Sequence, residues 1–210
     1  MKRVLLAALC ALAIVGCSDD KGYEYEVVAN IGYPDATFYL SPLEDLTKYH
    51  LQAVSDKDGV VRFKGTATEP MIACVSDGIG RVAAPVFIEE GVVTVDRMEA
   101  NPKLFLAQGT PSNDAYKSYL ESLQALELRF MATAGEEATP ELDSVMNIAF
   151  DSLDMAVERA NFDNVFGVFL FVNGGMQRCA NRTEVDSVVT LFPESLRGNS
   201  YLQSALKNVK

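Results

Sequence analysis

The residue whose chemistry is most sharply defined by its surroundings is Cys17. Lys2 and Arg3 precede an unbroken apolar run over residues 4–15, which ends at Gly16 and Cys17. A hydrocarbon core of about 30 Å needs about 20 apolar residues to cross it. The run is too short for that and has the size of a signal-peptide core. Ile14-Val15-Gly16-Cys17 has the pattern of a bacterial lipobox. A diacylglyceryl transfer needs a thiolate acceptor, and the peptidase that follows needs a small residue before the cut, which Gly16 supplies. The expectation is a leader over residues 1–16, cleavage between Gly16 and Cys17, and lipid on Cys17. Each buried methylene contributes about 0.8 kcal/mol, so one acyl chain holds marginally and two or more hold stably.

Other residue types offer less. Cys10 leaves with the leader and Cys17 takes the lipid, so Cys74 and Cys179 are the cysteines that remain in the mature body. In an oxidising compartment they are a candidate disulfide, although the apolar setting of Cys74 (MIACV) suits a small buried hydrophobe. No CxxC motif occurs, so the chain has no thioredoxin-type redox centre of its own. No group of His, Cys and carboxylates has metal-site spacing, and no cofactor or catalytic residue is expected. Glu89-Glu90 lies next to Gly91 and reads as a solvated turn, because adjacent strand residues face opposite ways. Asp56-Lys57-Asp58-Gly59 resembles part of a calcium loop, but Val54 and Gly65 stand where acidic ligands are required, so a turn is expected. His50, the single histidine, has no evident Ser or Cys partner. Asn113 and Asp114 in GTPSNDAY open a helix, and Asp114 complements its dipole. Asp143-Ser144-Val145, Asp151-Ser152-Leu153 and Asp186-Ser187-Val188 resemble a bacterial O-glycosylation tripeptide but fall on expected helices.

Charge narrows the partners. The whole chain carries a net charge of −11, and loss of Lys2 and Arg3 makes the mature chain more acidic still. Such a chain repels phosphate backbones, so no nucleic-acid partner is expected. Ser18-Asp19-Asp20, within a linker over 17–22, resembles the acidic tract that sends some lipoproteins to the outer face of the outer membrane. The expected location is the outer membrane, lipid-anchored, at the cell surface or otherwise on the periplasmic face.

The elements that would carry these residues fall into two halves. Over 23–109, short β-rich runs (EYEVVAN, ATFYL, HLQAV, VVRFKG, MIACV, VAAPVFI, VVTVD, KLFLA) alternate with turn residues. About eight strands at this spacing predict an antiparallel sandwich or small barrel. The Asp-Gly pairs predict hairpins over HLQAVSDKDGVVRFKG and MIACVSDGIGRVAAPVFI. Val60, Arg62 and Lys64 alternate with Val61, Phe63 and Gly65, as in a strand with one wet face. Over 110–210 the period becomes helical. Thr110-Pro111 and Thr139-Pro140 start two helices. Their apolar stripes are Tyr116, Tyr119, Leu120, Leu123, Leu126 and Phe130, then Leu142, Val145, Met146, Ala149, Leu153, Ala156 and Ala160. Gly135 ends the first. Residues 165–172 suit a short buried helix, Asn181 and Glu184 a capping box for a helix over 182–191, and 200–208 a last helix. The chain is thus an α+β fold, a β-sandwich followed by a helical domain.

This order resembles the domain of unknown function 4369 family, found at the N-terminus of exported thioredoxin-like proteins. The resemblance rests on ATFYL after an opening strand, SDKDGVVRFKG, PVFIEEGVVTVD, and GTPSNDAY at the strand-to-helix switch. It runs from about Tyr25 to the end. It implies that the helical half corresponds to the segment before a thioredoxin domain, and that Lys210 falls about where that domain would begin. Without a CxxC, the family's redox activity transfers to no residue here. Two functions are therefore expected in order. The first is a non-enzymatic lipid-anchored binding or scaffold module, its partner a thioredoxin-like protein or a surface complex. The second is an accessory module of a thioredoxin-like thiol-disulfide oxidoreductase system.

Overall fold

Each of the eight β-rich runs forms a strand, because alternate side chains find an apolar surface on one side. A computed structural model describes residues 22–80, 82–98, 101–134 and 139–209. The leader, Gly16, Cys17, the linker to residue 21 and Gly135 lie outside the described residues. The strands are β1 (Tyr23–Asn30), β2 (Thr37–Pro42), β3 (Leu51–Val54), β4 (Val60–Ala67), β5 (Met71–Ser76), β6 (Ala83–Ile88), β7 (Gly91–Met98) and β8 (Asn101–Gln108). They form two four-stranded sheets, ordered β4-β1-β7-β8 and β3-β2-β5-β6. Tyr25, Val27 and Ala29 of β1 meet Phe38 and Leu40 of β2, Val61 and Phe63 of β4, and Val86 and Ile88 of β6 in one buried cluster. Arg62 and Lys64 face water, where Lys64 Nζ lies 3.2 Å from a Glu26 carboxylate oxygen. The fold is α+β, eight N-terminal strands in two sheets followed by helices.

Two pairings differ from the sequence expectation. β3 and β4 do not form a hairpin: β3 pairs with β2 in one sheet and β4 with β1 in the other. Residues 55–59 carry the chain between sheets. Asp56 Oδ1 accepts from the N–H groups of Asp58 and Val60, each at 2.9 Å, and the Gly59 carbonyl accepts from Ile31 and Gly32. Gly59 has φ 79°, and a Cβ there would stand 2.7 Å from Gly32 backbone. The Asp-Gly signal thus serves a crossover docked on another loop. The second correction is that the sandwich is not wholly antiparallel, since β1 and β7 run parallel. The short turn after β6 changes sheets, so β7 enters beside β1 in the same direction. The β5–β6 hairpin forms as expected, with Ile72 opposite Phe87.

The helices are α1 (Pro111–Ala134), α2 (Pro140–Ala160), α3 (Val165–Leu170), a π turn (Phe171–Gly175), α4 (Met176–Arg178), α5 (Arg182–Val189), α6 (Glu194–Arg197) and α7 (Ser200–Leu206). Thr139 caps α2 by accepting from Leu142 N–H at 3.2 Å. Asn181 caps α5 by accepting from Glu184 N–H, while the Glu184 carboxylate reaches back to Ala180 N–H. That is the expected box, shifted by one donor. Short α6 has no counterpart in the sequence reading. These helices cover the outer face of the second sheet: Ile72 and Phe87 share one buried cluster with Val165, Phe166, Phe171, Phe192 and Leu202.

α1 is fastened to that sheet at its edge. β6 is an edge strand, so the outward N–H and C=O of Phe87 would lack partners. The Asn113 amide supplies both: Oδ1 accepts from Phe87 N–H at 3.0 Å, and Nδ2 donates to Phe87 C=O at 2.7 Å. Nδ2 also donates to Thr110 Oγ1. The Glu89 carboxylate accepts from Ser112 N–H at 3.1 Å, satisfying a first-turn donor of α1. A buried group left unpaired costs about 1–3 kcal/mol. Asn113→Leu, which orphans two, should destabilise the protein by about 3 kcal/mol. The Ser41 hydroxyl, by contrast, is buried without a partner, so Ser41→Ala should be neutral or stabilising. Urea denaturation of both variants checks this contrast.

Candidate functional site

A group of polar side chains lies where α1, α2, the π turn and α4 meet. Tyr119, Asp154, Glu158, Asn173 and Arg178 line a cleft of about 120 Å³ there. Asp154 and Glu158 are one helical turn apart on α2 and therefore share a face. The Tyr119 hydroxyl donates to Asp154 Oδ1 at 2.7 Å, and Glu158, only 7 % exposed, forms an ion pair with Arg178. Gly175 makes room for the pair: a Cβ there would stand 2.6 Å from a Glu158 carboxylate oxygen. The Asn173 amide donates to Phe169 C=O and Tyr201 Oη.

Burial pushes the Glu158 carboxyl up, against the lowering by the neighbouring Arg178 guanidinium. Burial, then the hydrogen bond to Asp154, pushes the Tyr119 phenol up, so it stays a donor. These groups are matched to one another. The volume is also small, since pockets that take organic ligands run to about 300–1,000 Å³. The cleft is best described as a polar buckle joining four elements. A carboxyl raised on folding contributes most in acid, and that contribution is lost as pH rises through its folded pKa. Arg178→Met should therefore destabilise at neutral pH by about 2 kcal/mol, below the range for a fully buried pair because Arg178 is partly exposed. The loss should shrink in mildly acidic buffer and be largely recovered by adding Glu158→Gln. Denaturant titration at two pH values checks this.

Beyond the buckle, α1 and α2 leave the body as an arm. With 24 and 21 residues they are ~36 Å and ~31 Å long. Among the described residues, α1 buries no side chain after Asn113, and α2 buries only Glu158. The helices touch through a narrow seam that includes the Phe130 and Phe150 rings, 6.5 Å apart. Leu128, Met131, Val145 and Ile148 are 59, 64, 55 and 63 % exposed. Val145, expected in the core stripe, thus faces water. Two adjoining hollows of about 370 and 360 Å³ run between the helices. The carboxylates of Glu121, Glu127, Glu141, Asp143 and Asp151 stand exposed on α1 and α2, as do Arg129 and Arg159, and Arg129 is the charged residue that lines the hollows. No sequence motif marks this surface. Its signal was Leu128, Met131 and Ile148, apolar residues lying off the helical stripes.

The structure distributes the other sequence candidates without assembling them. Cys74 and Cys179 are both free thiols, so the candidate disulfide is not formed. Cys74 is fixed in mid-strand on β5 and Cys179 follows α4, and each thiol bonds a carbonyl of its own segment. Burial raises the Cys74 pKa, and burial, Glu184 and Glu158 raise that of Cys179, which disfavours the reactive thiolate. Asn113 and Glu89 are committed to the α1–β6 junction, and Asp114 Oδ1 accepts from Gly109 N–H. His50 is exposed beside β3, its N–H bonded to Leu40 C=O. Ser144, Ser152 and Ser187 are exposed on α2 and α5. Among the described residues no cluster of three metal-ligating side chains occurs, and no helix is long and apolar enough to cross a membrane. No family model and no characterised protein matches the chain.

Proposed function

We propose that the chain is an exported lipoprotein, held on the outer membrane by acyl chains on Cys17, whose body is a binding module that engages a protein partner. The observation that carries this reading is the arm. Two long helices expose large apolar side chains far from either buried cluster, and they project where a partner has access. Contiguous exposed apolar surface marks interaction sites. The lipobox over residues 14–17 supports the anchor, and the acidic residues after it suit a solvated linker. The role is read as non-enzymatic, since the charged groups of the cleft between α1, α2 and α4 are matched to one another.

Two experiments test the two parts separately. Cys17→Ser should leave an uncleaved precursor that no longer enters the detergent phase on Triton X-114 partitioning; unchanged partitioning contradicts the anchor. Ile148→Ser with Val145→Ser should change stability by no more than about 0.5 kcal/mol, as exposed substitutions do. The same pair should abolish affinity capture of the partner from intact cells. Capture that survives both changes places the contact elsewhere.

A further inference from the structure

We propose that Ser144, near the start of α2, is an O-glycosylation site filled after export; this goes beyond the binding role and rests on the export reading. Asp143-Ser144-Val145, Asp151-Ser152-Leu153 and Asp186-Ser187-Val188 share one acidic-serine-aliphatic pattern. The structure separates them. A transferase that reads three neighbouring side chains must reach all three. Successive helical residues lie about 100° apart around the axis, so a tripeptide spans about 200°. A helix packed along a broad face hides part of that span. Leu153 is half-buried and lines the hollows between α1 and α2. Val188 packs against the buried helical cluster, and Asp186 is held 2.8 Å from the Arg182 guanidinium. Both hydroxyls donate one turn back, Ser152 to the Ile148 carbonyl and Ser187 to that of Thr183. Asp143, Ser144 and Val145, by contrast, are all exposed, and the Ser144 hydroxyl is bonded to no other described residue.

Position along the helix separates them further. Opening free energies fall towards zero at fraying ends. Counting from Pro140, Ser144 is the fifth residue of α2 and Ser152 the thirteenth of 21. The segment around Ser144 can therefore unwind into an enzyme while the Phe130–Phe150 seam and the Glu158–Arg178 buckle stay closed. The donor is an activated glycosyl phosphate. Ser144 Oγ bonds to its anomeric carbon, and the bond from that carbon to the phosphate oxygen breaks. The phosphate leaves with the electron pair, and the hydroxyl proton passes to a base of the transferase. Cα–Cβ bonds tilt towards the helix N-terminus, so sugar on Ser144 extends away from the body of the protein. Ile148, one turn nearer the body, stays uncovered for a partner.

The test is glycopeptide mass spectrometry on the full chain, made with its leader in its native cells. Trypsin cuts after Arg129 and Arg159, so Ser144 and Ser152 share one peptide and Ser187 falls in another. Fragmentation that keeps sugar attached then assigns the residue. The 130–159 peptide should carry sugar on Ser144 in most molecules. Ser144→Ala should remove it completely without changing the thermal melt. Asp143→Asn, which keeps the hydroxyl, should remove most of it. Ser152→Ala and Ser187→Ala should leave it unchanged, and residues 17–210 produced without the leader should carry none. Cleaved, membrane-held protein whose Ser144 is bare overturns the inference and leaves the export reading standing. Sugar on Ser152 or Ser187 in place of Ser144 does the same. Uncleaved protein without sugar overturns both.

Discussion

Phe87 holds the layers of this protein together. Its strand, β6, is buried on both sides: Val86 and Ile88 fill the sandwich and Phe87 enters the helical cluster. There its ring meets Tyr116, Phe166 and Phe169 edge-on, with centroids 5.5–5.6 Å away. Its backbone is completed by the Asn113 amide. One residue thus joins sheet, helical core and the start of α1 through an apolar contact and a pair of hydrogen bonds. A sheet covered on both faces must be apolar on both, which is why β5 buries Ile72, Ala73, Cys74 and Val75 in succession.

The arm follows from that fastening. An isolated pair of helices with one narrow apolar seam is marginal in water, and most helical stability comes from tertiary packing. Here the packing lies at the base, in the Asn113 junction, the Tyr116 and Tyr119 contacts with Phe166 and the buckle around Glu158 and Arg178. These contacts fix the direction of both helices and leave the outer turns without core duties. The outer faces can then carry apolar and acidic residues that contribute little to stability.

Local signals marked the elements well. Alternation located the strands, Thr139-Pro140 and Asn181 with Glu184 marked helix starts, and the run at 165–172 forms a buried helix as expected. What depended on distant pairing did not show. Asp56-Gly59 is chemically a turn whether it joins paired strands or crosses between sheets, and only the docking of Gly59 on Ile31 and Gly32 distinguishes them. The parallel β1–β7 pair is set by that crossover logic. Glu158 and Arg178 sit on different elements, and neither has a local motif. The arm was hidden for a related reason: helical periodicity shows which face of α1 meets α2, but not whether anything covers the rest. Val145 lies on the periodic stripe and still reaches solvent.

The central claim is that the arm is the contact surface of a membrane-held binding module. Site-specific photo-cross-linking on intact cells tests it most directly, with the photoreactive side chain placed at Ile148 on the arm or at Arg62 on the wet face of β4. The account predicts a discrete cross-linked protein from position 148 and none from position 62. Cross-linking from 62 with none from 148 would contradict it.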